Sequence, residues 1–185
     1  AIRDVYKRQD PHRSVGSTPQ LIRTIADAVG KPDAGEALVK RTQEQIDQAK
    51  KQIAAWKPAK PMRVAFLYVR GNAGVFFILG SENGASELIQ GVGADDVASD
   101  KGITTLVPAN AESLVSINPD AIFVMRDGLA STGGMKGLLA RAGVANTTAG
   151  RKQRVISIPD GISLSFGPQT GEVLTAVAKA LYGVK

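Results

Sequence analysis

Cysteine is absent from the 185 residues, and histidine occurs once, at His12. The first absence excludes thiolate zinc sites, redox dithiols and disulfide staples. The second excludes Ser-His-Asp hydrolysis and histidine metal sites in the body of the chain, because His12 lies in a polar, charged stretch ahead of the first helical pattern. A chain without thiols also tolerates an oxidising compartment. No apolar run approaches the roughly 20 residues that cross a bilayer as a helix. Ala1 to Gly16 has no apolar h-region and does not read as a signal peptide, so residues 1–17 are expected to be an irregular tail or remnant. Lys and Arg number 23 against 17 Asp and Glu, a net +6. These charges form no stripe, clustering only at Lys50-Lys51 and Arg151-Lys152-Gln153-Arg154, and a nucleic-acid partner is not indicated. Asp95 and Asp96 are adjacent and project differently, so nothing marks them as an acid/base pair. No catalytic constellation emerges, and the chain does not read as an enzyme.

What is present is a helical arm followed by an α/β alternation. Thr18-Pro19 predicts a helix start, with Thr18 as cap and Pro19 in the first helical position. Leu21, Ile22, Ile25, Ala28 and Val29 follow helical spacing until Gly30 and Pro32. Asp33 and Glu36 have capping-box spacing, and no proline follows before Pro58. That implies a second helix, Asp33 to Trp56, of about 24 residues and roughly 36 Å. Its apolar stripe is thin: Leu38, Ile46, Ala49, Ile53 and Trp56, with Thr42 filling the gap. Trp56 is expected to be the best buried of the arm, having most area to gain. The arm covers residues 18–57, and the main domain residues 61–185, after the break Lys57-Pro58-Ala59-Lys60-Pro61.

From there, strands are predicted at Val64 to Val69, Val75 to Leu79, Ile103 to Val107, Ala121 to Met125 and Val155 to Ile158, with turn chemistry at Asn72-Ala73-Gly74. Helices are predicted from Ala85, over Ala109 to Ile117, Met135 to Ala142 and Thr170 to Tyr182. The alternation predicts a single Rossmann-like α/β lobe: a largely parallel sheet covered by helices, preceded by the long helix. Ligands then sit at the carboxyl ends of the strands. Gly91-Val92-Gly93 follows a helix and fits a helix C-cap and turn rather than a dinucleotide loop. Gly128 to Gly137 lies between a strand and a helix, and reads either as a plain connection or as a loop lining a ligand site. The latter would suit a nucleotide-using α/β enzyme.

The sharpest feature is Phe66-Leu67-Tyr68-Val69-Arg70-Gly71. Residues two apart in a strand share a face, so Tyr68 and Arg70 stand together at a strand's end. A phenolate is a hard oxygen ligand suited to ferric iron, and tyrosine serves as an axial haem ligand. A guanidinium beside it favours the charged form. The alternative is a Tyr and an Arg placed for packing and solvation. Met125, Arg126, Leu129 and Phe166 also fall at or just after strand ends. Met125 reads equally as site or core, and Arg126 matches a carboxylate partner such as a propionate.

In order along the chain, Arg63-Val64-Ala65-Phe66-Leu67-Tyr68-Val69-Arg70-Gly71, Gly91-Val92-Gly93-Ala94-Asp95, Asn118-Pro119-Asp120-Ala121-Ile122-Phe123-Val124-Met125, Arg126-Asp127-Gly128-Leu129, Leu138 to Arg151 and Phe166-Gly167-Pro168 resemble the haem-binding members of the cobalamin- and siderophore-type periplasmic binding proteins. The likeness runs from about Thr18 to Tyr182 and implies the C-terminal lobe of a two-lobed haem carrier with its inter-lobe helix. By this resemblance Tyr68 is the haem-iron ligand and Arg70 its hydrogen-bond partner. The other partner implied is an ABC permease, met through Asp95 or Asp96, although the glutamate often found nearby is here Ala94. The implied location is extracytoplasmic, periplasmic or as a cell-surface lipoprotein. A siderophore or cobalamin lobe of the same architecture is the nearest alternative. His12 matches no position in this pattern. A lone lobe leaves apolar surface in water, and a homodimer of it is expected.

Overall fold

A computed structural model describes residues 13–71 and 74–184. The expectations for residues 1–12, with His12, and for the turn residues Asn72 and Ala73 lie outside the described residues.

Two helices open the described chain, α1 (Thr18–Ala28) and α2 (Pro32–Trp56). The α/β body follows: β1 (Arg63–Arg70), β2 (Val75–Ile78), a 3-10 turn (Ser81–Asn83), α3 (Ala85–Gly91), β3 (Asp95–Asp96), α4 (Val97–Asp100), β4 (Val107–Pro108), α5 (Ala111–Ile117) and β5 (Ala121–Met125). It closes with α6 (Arg126–Ser131), α7 (Gly134–Leu139), a second 3-10 turn (Val144–Asn146), α8 (Thr148–Arg151), β6 (Val155–Ile158) and α9 (Thr170–Tyr182).

The sheet runs β4-β2-β1-β5-β6, with β3 added beside β1. Pairings of β1 with β5, β5 with β6 and β1 with β3 are parallel, and the β1–β2 hairpin and β2–β4 are antiparallel. Strand β1 is central and apolar from Val64 to Leu67, all fully buried, because helices cover both faces. Val64, Phe66, Ala121, Phe123, Ile156 and Ile158 face α3, α9 and the Ile53 end of α2. Ala65, Leu67, Val69, Ile122 and Val124 face Leu114 and Ile117 of α5, Leu138 of α7 and Val144. This is the mostly parallel, doubly covered sheet preceded by a long helix that the alternation predicts.

Helix α2 buries Gly35, Val39, Thr42, Ile46, Ala49 and Ile53, a spacing of alternating fours and threes that makes a narrow coiled-coil-like seam. Small residues bring the neighbours close. A side chain at Gly35 would collide with Ala26 of α1, and one at Gly171 of α9 with the α2 backbone at Gln45. Three expectations for the arm are corrected. Val39 rather than Leu38 enters the seam, since it lies one heptad before Ile46. Trp56 is only half-buried while Ile46 and Ala49 are fully buried; at the helix end its indole lies at the edge of the body, with the Lys179 ammonium 5.9 Å from the ring centroid. The capping box does not form. Pro32 takes the first turn, the cap residue is Lys31, and Glu36 pairs with Arg23 of α1 at 2.6 Å. Helix α1 likewise starts one residue early, with Ser17 at the cap and Thr18 donating its hydroxyl to the Ser14 carbonyl.

In the body, β4 is shorter and later than Ile103 to Val107, because the Ile103 and Thr104 carbonyls accept the amides of Ser81 and Glu82 instead of a sheet ladder. Segment Gly128 to Gly137 is no open loop: α6 begins directly at the end of β5, and only Thr132 and Gly133 separate it from α7. Gly93, with φ +76, ends α3 as the C-cap reading requires.

Candidate functional site

The parallel register sets the ends of β1, β5 and β6 level. Leu67 pairs with Val124 and Met125 with Ile158, so Tyr68 stands beside Met125 at the carboxyl edge, where open α/β sheets hold their ligands. Tyr68 continues the face of Val64 and Phe66, and Met125 that of Phe123. Both are half-buried and packed on the same core cluster. Their floor is the edge-to-face pair Phe66 and Phe123, with ring centroids 6.4 Å apart. Across the hairpin Tyr68 pairs with Phe77, a half-buried aromatic on the same face.

Arg70 folds back over this edge. Its guanidinium carbon lies 5.0 Å from the Tyr68 ring centroid, a cation–π stack. One terminal nitrogen donates to the Asp160 carboxylate at 2.8 Å and to the Met125 sulfur at 3.6 Å, and the other to the Val69 carbonyl at 3.3 Å. The second Asp160 oxygen accepts the Asp127 amide at 2.9 Å. Gly71 is pinned on both sides: its amide donates to the Ser131 hydroxyl at 2.7 Å, and its carbonyl accepts Arg141, whose guanidinium stacks on Phe76. The end of β1 is thereby tied to β5, β6, α6 and the corner after α7.

Of the residues picked from sequence, Tyr68, Arg70 and Met125 come together, and Arg126 follows at the same edge, exposed and in none of the ion pairs among the described residues. Leu129 is half-buried and leans on the cluster of the opposite sheet face. Phe166 is corrected. It is only 2% exposed and packs on Gly84, beside Leu88, Val173 and Leu174. Its left-handed backbone, φ +48, accompanies a ring placed in the core rather than at a mouth. Asp96 is corrected as well. It is buried, capping α4 through the Ala98 amide at 3.0 Å and accepting the Ser86 hydroxyl, so it is unavailable to a partner; Asp95 is exposed. Two members of the edge escaped sequence reasoning. Phe77 is apolar within a strand and indistinguishable there from core. Asp160 sits in the turn signal Pro159-Asp160-Gly161 after the last strand, a position whose significance depends on β6 lying level with β1. Among the described residues no group of three or more His, Cys, Asp or Glu is placed to hold a bare metal ion.

Two of these placements have measurable consequences. A methyl group at Gly128 would lie 2.5 Å from the Val69 carbonyl oxygen and 2.6 Å from the Arg70 guanidinium. The guanidinium can move but the β1 backbone cannot, so Gly128→Ala should cost about 1–3 kcal/mol in urea unfolding and displace Arg70 from the Tyr68 ring. Wild-type stability in that variant would contradict the close approach. Burial pushes the Asp96 carboxyl above its ordinary range, against the opposing pull of its Ser86 and Ala98 hydrogen bonds. A raised folded-state value means that the stabilising contribution is complete below the ordinary carboxylate value and is lost as pH rises through the raised one. Urea midpoints of the wild type should therefore fall relative to Asp96→Asn as pH rises from the acid side. Parallel profiles would contradict this.

No curated protein matches the chain. The solved structure of heme binding protein HmuT is 47% identical with a TM-score of 0.92, covering 96% of this chain and 57% of that one. Periplasmic heme-binding protein RhuT from Roseiflexus sp. RS-1, in apo form, is 35% identical with a TM-score of 0.86, covering 92% and 64%. Periplasmic heme-binding protein BhuT, in complex with two hemes, is 31% identical with a TM-score of 0.82, covering 92% and 63%. The chain thus spans less than two thirds of the length of each. The family model described as periplasmic binding protein matches residues 9–161, and with this fold and these likenesses the chain belongs to the periplasmic binding protein family.

Proposed function

We propose that the chain is the haem-binding C-terminal lobe of an ABC-type haem importer's capture protein, working outside the cytoplasm, with the Tyr68 phenolate as ligand to the haem iron. The observation that carries this reading is the edge itself: a half-exposed phenol at the end of the central strand, with a guanidinium over its ring and a thioether beside it. Haem presents an apolar disc, a Lewis-acidic iron and two carboxylates. Tyr68 supplies the oxygen donor and Phe77 and Met125 apolar wall. Arg126 offers a planar guanidinium to a propionate, and Leu129 flanks it. The solved structures of HmuT include variants in which a tyrosine and an arginine two positions further on were each replaced by alanine, the spacing of Tyr68 and Arg70 here. A histidine was also replaced in that protein, further ahead of its tyrosine than the whole stretch preceding Tyr68 in this chain. Delivery to a membrane permease belongs to the same reading, with exposed Asp95 as a docking carboxylate.

Titration with hemin tests it: the chain should develop a Soret band that saturates. Saturable binding of a ferric siderophore or cobalamin without a hemin spectrum would assign the lobe to another carrier of the same architecture. A second reading, self-association, is favoured by Ile25 in the last turn of α1 and Val29 at its C-cap, 56% and 64% exposed. Light scattering at high concentration should show a dimer that Ile25→Lys and Val29→Lys dissociate. A strict monomer would end that reading.

A further inference from the structure

Arg70 carries more constraints than its exposure would lead one to expect. Its side chain is 36% accessible, and a free arginine there would sample many rotamers and extend into water. A cation–π stack at such a partly exposed site is weak, too weak to hold a long flexible side chain by itself. Besides the longer contacts to the Val69 carbonyl and the Met125 sulfur, the constraint at full hydrogen-bond strength is Asp160, itself 22% accessible. Each of its carboxylate oxygens has a separate task, one accepting the guanidinium and one the Asp127 amide at the start of α6. A carboxylate anchored through one oxygen to backbone presents the other in a defined direction, which a mobile surface ion pair does not.

We infer that Asp160 is a positioning residue: it holds the Arg70 guanidinium against the Tyr68 ring before ligand arrives and keeps it from acting as a propionate anchor. The inference rests on the haem reading for its function, but its geometry stands apart from it. Preorganisation of this kind lowers the ordering cost at the moment of binding. It also divides the labour of two nearby arginines. Arg70 is already paired with a carboxylate, whereas Arg126 has no ion-pair partner among the described residues and is left for the ligand's own carboxylates.

The test has an arm without ligand and an arm with hemin, both on the full chain. In the ligand-free protein, the Arg70 side-chain NMR resonances should be shifted by the Tyr68 ring current. Asp160→Asn should move them toward the values of a solvated arginine, and Asp160→Glu, which keeps the charge, should restore part of the shift. Unchanged resonances in Asp160→Asn would overturn the inference, whatever the chain binds. With hemin, Asp160→Asn should weaken binding about tenfold and alter the ferric spectrum in the same direction as Arg70→Ala. In the Arg70→Ala background the Asp160 substitution should then add nothing. Full additivity would show that Asp160 does not act through Arg70. If Asp160→Asn failed to fold, Asp160→Glu and the Arg70 resonances at high salt would still decide the point, since screening releases a loosely held pair and spares an anchored one. Failure of the haem reading would appear separately, as a Tyr68→Ala variant with the hemin spectrum of the wild type.

Discussion

Replacing Tyr68 by alanine is expected to weaken hemin binding by about 100-fold or more, equivalent to ~2.7 kcal/mol, and to change the spectrum of what still binds. The substitution removes the only phenol at the carboxyl edge among the described residues; Tyr182 lies elsewhere, donating its hydroxyl to the Val92 carbonyl at 2.7 Å. It also takes away the ring on which Arg70 stacks. The loss should be confined to binding. Tyr68 is half-buried at the rim, so its truncation opens no enclosed cavity. Isothermal titration alongside urea unfolding separates the two: affinity should collapse while the unfolding midpoint moves little. Equal losses in both would mean that Tyr68 is a packing residue.

The largest stability effect is expected at Phe123. It is fully buried at the centre of β5 and meets Phe66 edge to face in the middle of the larger core cluster. Phe123→Ala should cost about 3–5 kcal/mol, lowering the melting temperature by roughly 6–20 °C for a chain of this size. These two rings also lie one step below Tyr68 and Met125 on the same face, so their loss slackens the floor of the site. Hemin affinity should fall in Phe123→Ala even where the variant remains folded. Phe123→Leu, which keeps most of the volume, should recover most of both. A melting temperature within a degree or two of the wild type would contradict the core assignment.

Much of this architecture was legible in the residues themselves, and the particular misses are informative. Strands β5 and β6 and helix α9 fall where their apolar runs place them, because each is bounded by strong punctuation: Asn118-Pro119-Asp120 ahead of β5, Pro159-Asp160-Gly161 after β6, Gly183 after α9. Tyr68 and Arg70 were visible for a similar reason, since period-two alternation fixes their shared face without tertiary knowledge. Residues whose roles depend on a distant partner were not visible. Asp160 is one aspartate in a turn until the parallel register brings β6 level with β1. Glu36 reads as half of a capping box until the α1–α2 hairpin offers Arg23. Phe166 lies after a strand, as a mouth residue should, but the path of the chain returns its ring to the core. Asp96 shows that an acidic pair in sequence need not be an acidic pair in space: within a two-residue strand, one side chain faces water and the other caps the next helix.

Haem ligation through the Tyr68 oxygen can be read from resonance Raman spectra of the ferric hemin complex formed by the wild-type chain and by Tyr68→Phe. The substitution keeps the ring, its packing and its stack with Arg70, and deletes only the donor oxygen. Phenolate–iron modes in the wild type that vanish in Tyr68→Phe are the predicted result; a hemin complex lacking those modes, or one in which Tyr68→Phe leaves them in place, would contradict it.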